Sequence, residues 1–137
     1  MKSSPKGLLF LRKYRILGVE RQVHPMTTDP KALEDIREIT ELIKEAVPVE
    51  RIYLFGSYAY GEPNEDSDYD FFVVIPDGGM RALDAAMEAH VSLCKWKNRQ
   101  MPVDILADYK SRFNERSRLN TMERKIHNDG VVLYERA

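Results

Sequence analysis

The sequence predicts an α/β (α+β) domain: a small mixed β-sheet with helices packed mainly on one face. Three observations lead there. Short apolar runs rich in β-branched and aromatic residues ("RIYLF", "DYDFFVVI", "VDILA", "VVLY") are bounded by Gly, Pro or Asp. Between them lie stretches with apolar residues at helical spacing. The order is helix, strand, strand, helix, strand, helix, strand, and 137 residues suit one compact domain.

Each element has a local cause. Asp29-Pro30 starts the first helix, a capping carboxylate followed by proline in the first turn. Leu33, Ile36, Ile39, Ile43 and Ala46, widened by Leu42 and Val47, form its inward stripe. Glu34, Asp35, Glu38, Glu41 and Glu45 form the outward face, and Pro48 ends the helix. Residues 51–55 read as a strand running into Gly56-Ser57. A single helical turn, Ser57 to Tyr60, precedes Gly61. Residues 68–75 are the clearest strand, closed by Pro76-Asp77-Gly78-Gly79. A helix over about 80–97 is expected to face inward through Leu83, Met87, Val91 and Cys94, with His90 packed near that stripe. Residues 103–107 form a third strand. Leu119, Met122 and Ile126 mark a last helix that stops near Gly130, and 131–134 are a terminal strand.

Charge is unevenly distributed. Residues 1–25 hold six Lys/Arg and one Glu, net +5; the remaining 15 basic and 21 acidic residues give 26–137 a net of −6. An acidic core disfavours non-specific nucleic-acid binding, because phosphate contacts need a basic surface. Residues 1–28 read as a basic, poorly ordered extension and 29–137 as the functional domain. Met26 would make a natural initiator. Leu8-Leu9-Phe10-Leu11 followed by "RKYR" is too short and wrongly flanked for a secretion signal. No apolar run approaches the roughly 20 residues of a membrane helix. Cys94 is the only cysteine, and His24, His90 and His127 are scattered, so disulfide and zinc frameworks are excluded. A cytoplasmic location is expected.

The chemistry concentrates in "FGSYAYGEPNEDSDYDFFVVI", 55–75. Asp66, Asp68 and Asp70 sit at alternate positions leading into a buried strand, which is costly unless something neutralises them. Three readings compete. A calcium loop needs glycine where Phe71 stands and glutamate where Asp77 stands. A solvated acidic loop accounts for Glu62, Glu65 and Asp66. It accounts less well for Asp68 and Asp70, because residues two apart on a strand share a face and their carboxylates converge. A metal-dependent phosphoryl or nucleotidyl transfer site needs a third carboxylate, and Asp104 in "PVDIL" enters an apolar strand as Asp70 does. Two magnesium ions held by Asp68, Asp70 and Asp104 could clamp both oxygens of an in-line displacement. Gly56-Ser57 lets backbone approach a triphosphate and adds a hydroxyl and amides for its phosphates.

"GS", ten intervening residues and "DYD" resemble the GS-x10-DxD signature of the polymerase-β-type nucleotidyltransferases. The stretch 52–75 is similar to their minimal (MNT) branch, "PVDIL" falls where that family has its third aspartate, and "IHNDGVVLYER" resembles the close of such chains. The resemblance covers about 29–136 and implies the polymerase-β-type fold. It also implies roles. Gly56 and Ser57 would bind the β and γ phosphates of ATP or another NTP. Asp68 and Asp70 would ligate both Mg2+ ions. Asp104 would ligate the catalytic metal and help deprotonate an acceptor hydroxyl. One departure stands out: many members read GSxARG, and Tyr60 occupies the place of that arginine. Lys95, Lys97 and Arg99 around Trp96 read as a helix end, with Trp96 covering apolar surface.

Relatives that modify antibiotics or RNA carry an extra helical domain for which this chain has no room. The resemblance therefore implies an MNT-type antitoxin that transfers AMP to a tyrosine of a small helical HEPN toxin. Two alternatives remain: a non-catalytic module that neutralises such a partner by contact, and transfer to a small molecule such as an aminoglycoside.

Overall fold

The computed structural model describes residues 27–61, 63–99 and 101–137, together with the backbone of two short strands at 13–16 and 19–22. Those two, β1 (Lys13–Ile16) and β2 (Val19–Gln22), form an antiparallel pair inside the basic extension, where no element is expected from the sequence. The rest of that extension up to residue 26, the proposed start at Met26 and Glu62 lie outside the described residues.

The main domain runs α1 (Pro30–Ala46), β3 (Arg51–Phe55), α2 (Ser57–Tyr60), β4 (Tyr69–Ile75), α3 (Ala82–Ser92) with a 3-10 turn at Leu93–Lys95, β5 (Val103–Tyr109), α4 (Lys110–Arg116), α5 (Met122–Asp129) and β6 (Val131–Glu135). The sheet order is β5-β4-β3-β6. β3 is antiparallel to both β4 and β6, whereas β4 and β5 are parallel, so the sheet is mixed. A parallel neighbour requires a crossover, and α3 supplies it.

α1 starts as expected: the Asp29 side chain accepts from Lys31 N at 3.2 Å, and Pro30 occupies the first turn. Ile36, Ile39 and Ile43 are fully buried beneath it. They meet Ile52 and Leu54 of β3 and Phe71, Val73 and Ile75 of β4 in the larger core. Tyr53, Phe72 and Val74 point the other way, into a smaller cluster with Phe113 of α4 and Ile126 of α5. Both faces of β4 are thereby covered, which is why its sequence is an unbroken apolar run rather than an alternation. Trp96 is buried against the larger core, as expected.

Two expected faces are corrected. α3 buries Ala85 and Ala89, while Leu83 (66%), Met87 (58%) and Val91 (63%) are exposed, along with Cys94 and His90. The larger side chains face outward because small alanines let the helix approach its neighbours closely. Asp35, expected on the outer face of α1, is 4% exposed. α4 was not anticipated, since Phe113 is the only apolar residue among its seven. Of the three residues expected to mark the last helix, Ile126 is buried and Met122 is exposed, while Leu119 is exposed in the turn before the helix begins.

Candidate active site

Strand register assembles the site. In the parallel β4–β5 ladder Asp70 lies opposite Asp104, and in the antiparallel β3–β4 ladder it lies opposite Phe55. Asp70 thus sits between the end of β3 and the start of β5. Asp68, two residues earlier, leans to the same side. One carboxylate oxygen from each of Asp68, Asp70 and Asp104 falls within 4.8 Å of the others. Asp68 and Asp70 are half-buried and Asp104 is exposed, so the cluster opens to solvent.

The electrostatics show the cost of that arrangement. Burial, then the charges of Asp104 and Asp68, push the Asp70 carboxyl up from 3.8 to about 6. Loss of water and like charge both disfavour the ionised form, and a bound cation would reverse both effects. The donors are all hard carboxylate oxygens, a set that suits Mg2+ or Mn2+ rather than zinc or copper. The three residues therefore fit a divalent ion.

Gly56, followed by Ser57, adjoins the cluster. Gly56 has φ of +79°, where L side chains are strained, and a Cβ there would collide with the Asp70 carboxylate. The glycine is thus required twice, by the backbone turn and by the close approach of Asp70. Ser57 opens α2, whose turn is held by Tyr60 N to Gly56 O (3.1 Å) and Gly61 N to Ser57 O (3.0 Å). The five residues expected at the site, Gly56, Ser57, Asp68, Asp70 and Asp104, therefore converge on the adjoining ends of β3, β4 and β5. Asp66 stays outside the carboxylate cluster. It is exposed in a turn closed by Asp66 N to Asn64 Oδ1 (2.8 Å) and Ser67 N to Asn64 O (3.0 Å).

Sequence reasoning missed the polar hub behind the cluster. Tyr69, between the two converging aspartates, points to the larger core. Its hydroxyl donates to Asp35 Oδ2 at 2.9 Å. Trp96 Nε1 donates to Asp35 Oδ1 at 3.2 Å and Asn98 Nδ2 to Asp35 Oδ2 at 3.1 Å. Burial and the bond to Asp35 hold the Tyr69 phenol well above its ordinary range. The hub ties the start of β4 to α1 and to the segment after α3. Its signal was present in the spacing: Asp35 lies four residues before Ile39 and three after Ala32, both buried.

Residues 36–132 match the family model described as a nucleotidyltransferase domain. No curated protein matches the chain. A crystal structure assigned to a nucleotidyltransferase of Sulfolobus solfataricus superposes with a TM-score of 0.53 at 22% identity, covering 77% of this chain and 82% of that one, which shows a shared fold. A toxin–antitoxin MntA-HpeT mutant matches with a TM-score of 0.43 and 19% identity, over 72% of each chain. A toxin–antitoxin with AMP-PNP matches with a TM-score of 0.45 and 20% identity, over 74% of this chain and 73% of that one. With most of its length matched by that family's model and its carboxylates gathered beside a glycine-serine turn, the chain belongs to the nucleotidyltransferase domain family.

Proposed function

We propose that this protein is a magnesium-dependent nucleotidyltransferase that moves AMP, or another NMP, from an NTP to a hydroxyl group. The observation that carries the reading is the convergence of Asp68, Asp70 and Asp104 within 4.8 Å beside Gly56-Ser57. Asp68, Asp70 and Asp104 would hold Mg2+, and Gly56 and Ser57 would hold the distal phosphates. When bound, the metal would supply positive charge that offsets the phosphates and the developing charge on the acceptor oxygen. Asp104, the most exposed of the three, takes the proton of the acceptor hydroxyl. The acceptor oxygen forms a bond to the α-phosphorus, the α–β phosphoanhydride bond breaks, and pyrophosphate leaves with its electron pair.

The acceptor is a tyrosine of a small helical partner protein of the HEPN toxin type, so that the chain acts as an MNT antitoxin. Two features support a macromolecular acceptor. The sequence resembles the minimal branch of the family, and α3 exposes Leu83, Met87 and Val91 in a row at helical spacing, which suits contact with another protein. That row equally supports the second reading, neutralisation by contact alone.

The test is to co-express the chain with its helical partner, add ATP and Mg2+, and measure the partner's intact mass. Gain of whole AMP units, lost in Asp68→Ala or Asp70→Ala, is expected. Stable binding and neutralisation with no mass gain, unchanged by those substitutions, would replace transfer with contact.

A further inference from the structure

Position 60 carries no charge, yet a cation stands beside it. Lys125 of α5 places its Nζ 4.6 Å from the centroid of the Tyr60 ring. Tyr60 and Ser57 are three residues apart on α2 and so share a helix face. The lysine comes from the side of the sheet that carries the site. Asp70 and Phe72 are two apart on β4 and share a face, and Phe72 packs in the cluster that receives Ile126, the neighbour of Lys125. α5 is also pinned next to the glycine-serine turn. Its cap, Gly130, is so close to the end of β3 that an added Cβ would lie 3.2 Å from Leu54 O, two residues before Gly56. Among the described residues Lys125 has one ion pair, to Asp129 one turn along its own helix at 3.4 Å, and its side chain is 62% exposed. Such a pair contributes little and exchanges readily, leaving an ammonium with three donors able to swing to an anion.

A polyanionic nucleotide entering beside three carboxylates needs positive charge from the protein as well as from metal. We propose that Lys125 is a nucleotide-binding residue that brings to the distal phosphates the charge Tyr60 lacks, with the Tyr60 ring as its resting platform. This inference rests on the nucleotidyl-transfer reading. It adds a phosphate contact from the C-terminal helix, outside the glycine-serine and aspartate motifs.

The test is calorimetric titration of the full chain with MgATP and with AMP. Lys125→Ala should weaken MgATP binding about tenfold, the effect of one charge-assisted hydrogen bond, and change AMP binding less than about twofold. Lys125→Arg should bind MgATP nearly as the wild type does. Tyr60→Arg added to Lys125→Ala should recover most of the loss, because it returns the cation to α2. Unchanged MgATP affinity in Lys125→Ala, equal loss for MgATP and AMP, or no recovery in the double variant would overturn the proposal. A wild-type chain that binds no MgATP would remove the nucleotidyl-transfer reading first, and this proposal with it.

Discussion

Replacing Asp70 with asparagine should make the metal-free protein more stable while removing its response to metal. The Asp70 carboxyl is raised from 3.8 to about 6 by burial and by Asp104 and Asp68. At about 1.4 kcal/mol per pH unit, holding it ionised at neutral pH costs about 3 kcal/mol. Asp70 is only half-buried, so screening by water reduces this to about 1–2 kcal/mol. Asparagine keeps the shape and removes the charge. In EDTA at pH 7.5 the melting temperature of Asp70→Asn should exceed that of the wild type by about 4–8 °C, taking about 4 °C per kcal/mol for a domain of this size. Adding millimolar Mg2+ should raise the wild type and leave the variant unmoved, because a cation stabilises only a fold that binds it. The assay is thermal unfolding followed by circular dichroism, with and without Mg2+. A variant that melts below the wild type in EDTA would refute the reasoning, since Asp70 would then be stabilising the metal-free fold.

Four further predictions follow from the same geometry. The folded Asp70 carboxyl keeps its proton up to about pH 6, whereas the unfolded one loses it near 3.8, so the metal-free fold should lose stability as pH rises from about 4 to about 6. Mg2+ affinity should climb over the same interval and level off above about pH 7, as read by titration at fixed ionic strength. Gly56→Ala should cost about 2–3 kcal/mol in urea unfolding, from the positive φ and the displaced Asp70 side chain, and should abolish Mg2+-dependent stabilisation. Tyr69→Phe keeps the buried ring but strips one of three donors from Asp35, and should cost about 1–3 kcal/mol by the same measurement.

The parts legible in the sequence are those where one residue type answers one physical demand. Asp29-Pro30 can begin a helix and do little else there, and the run after Asp70 is too apolar for anything but a strand buried on both faces. The three aspartates are readable because like charges at the mouth of buried strands demand a counter-charge, and register brings them together as the spacing suggests. The face of α3 was misread because hydrophobicity and burial part company there. Ala85 and Ala89 are weakly apolar, but their size permits close packing, while Leu83, Met87 and Val91 remain outside. Asp35 was misread for the complementary reason: a carboxylate looks solvated until Tyr69, Trp96 and Asn98, remote in sequence, supply its donors. α4 has too few apolar residues to show a period. Lys125 beside Tyr60 joins residues 65 positions apart, a pairing that only the packing of α5 on the sheet reveals.

The proposed reaction requires Asp68, Asp70 and Asp104 to hold divalent metal on a bound nucleotide. Anomalous scattering from crystals grown with Mn2+ and a non-hydrolysable ATP analogue tests it most directly. A manganese peak bonded to carboxylate oxygens of all three aspartates at about 2.1 Å is expected, with the distal phosphates at Gly56 and Ser57. Nucleotide bound elsewhere, or no manganese at the three aspartates under saturating Mn2+, would contradict it.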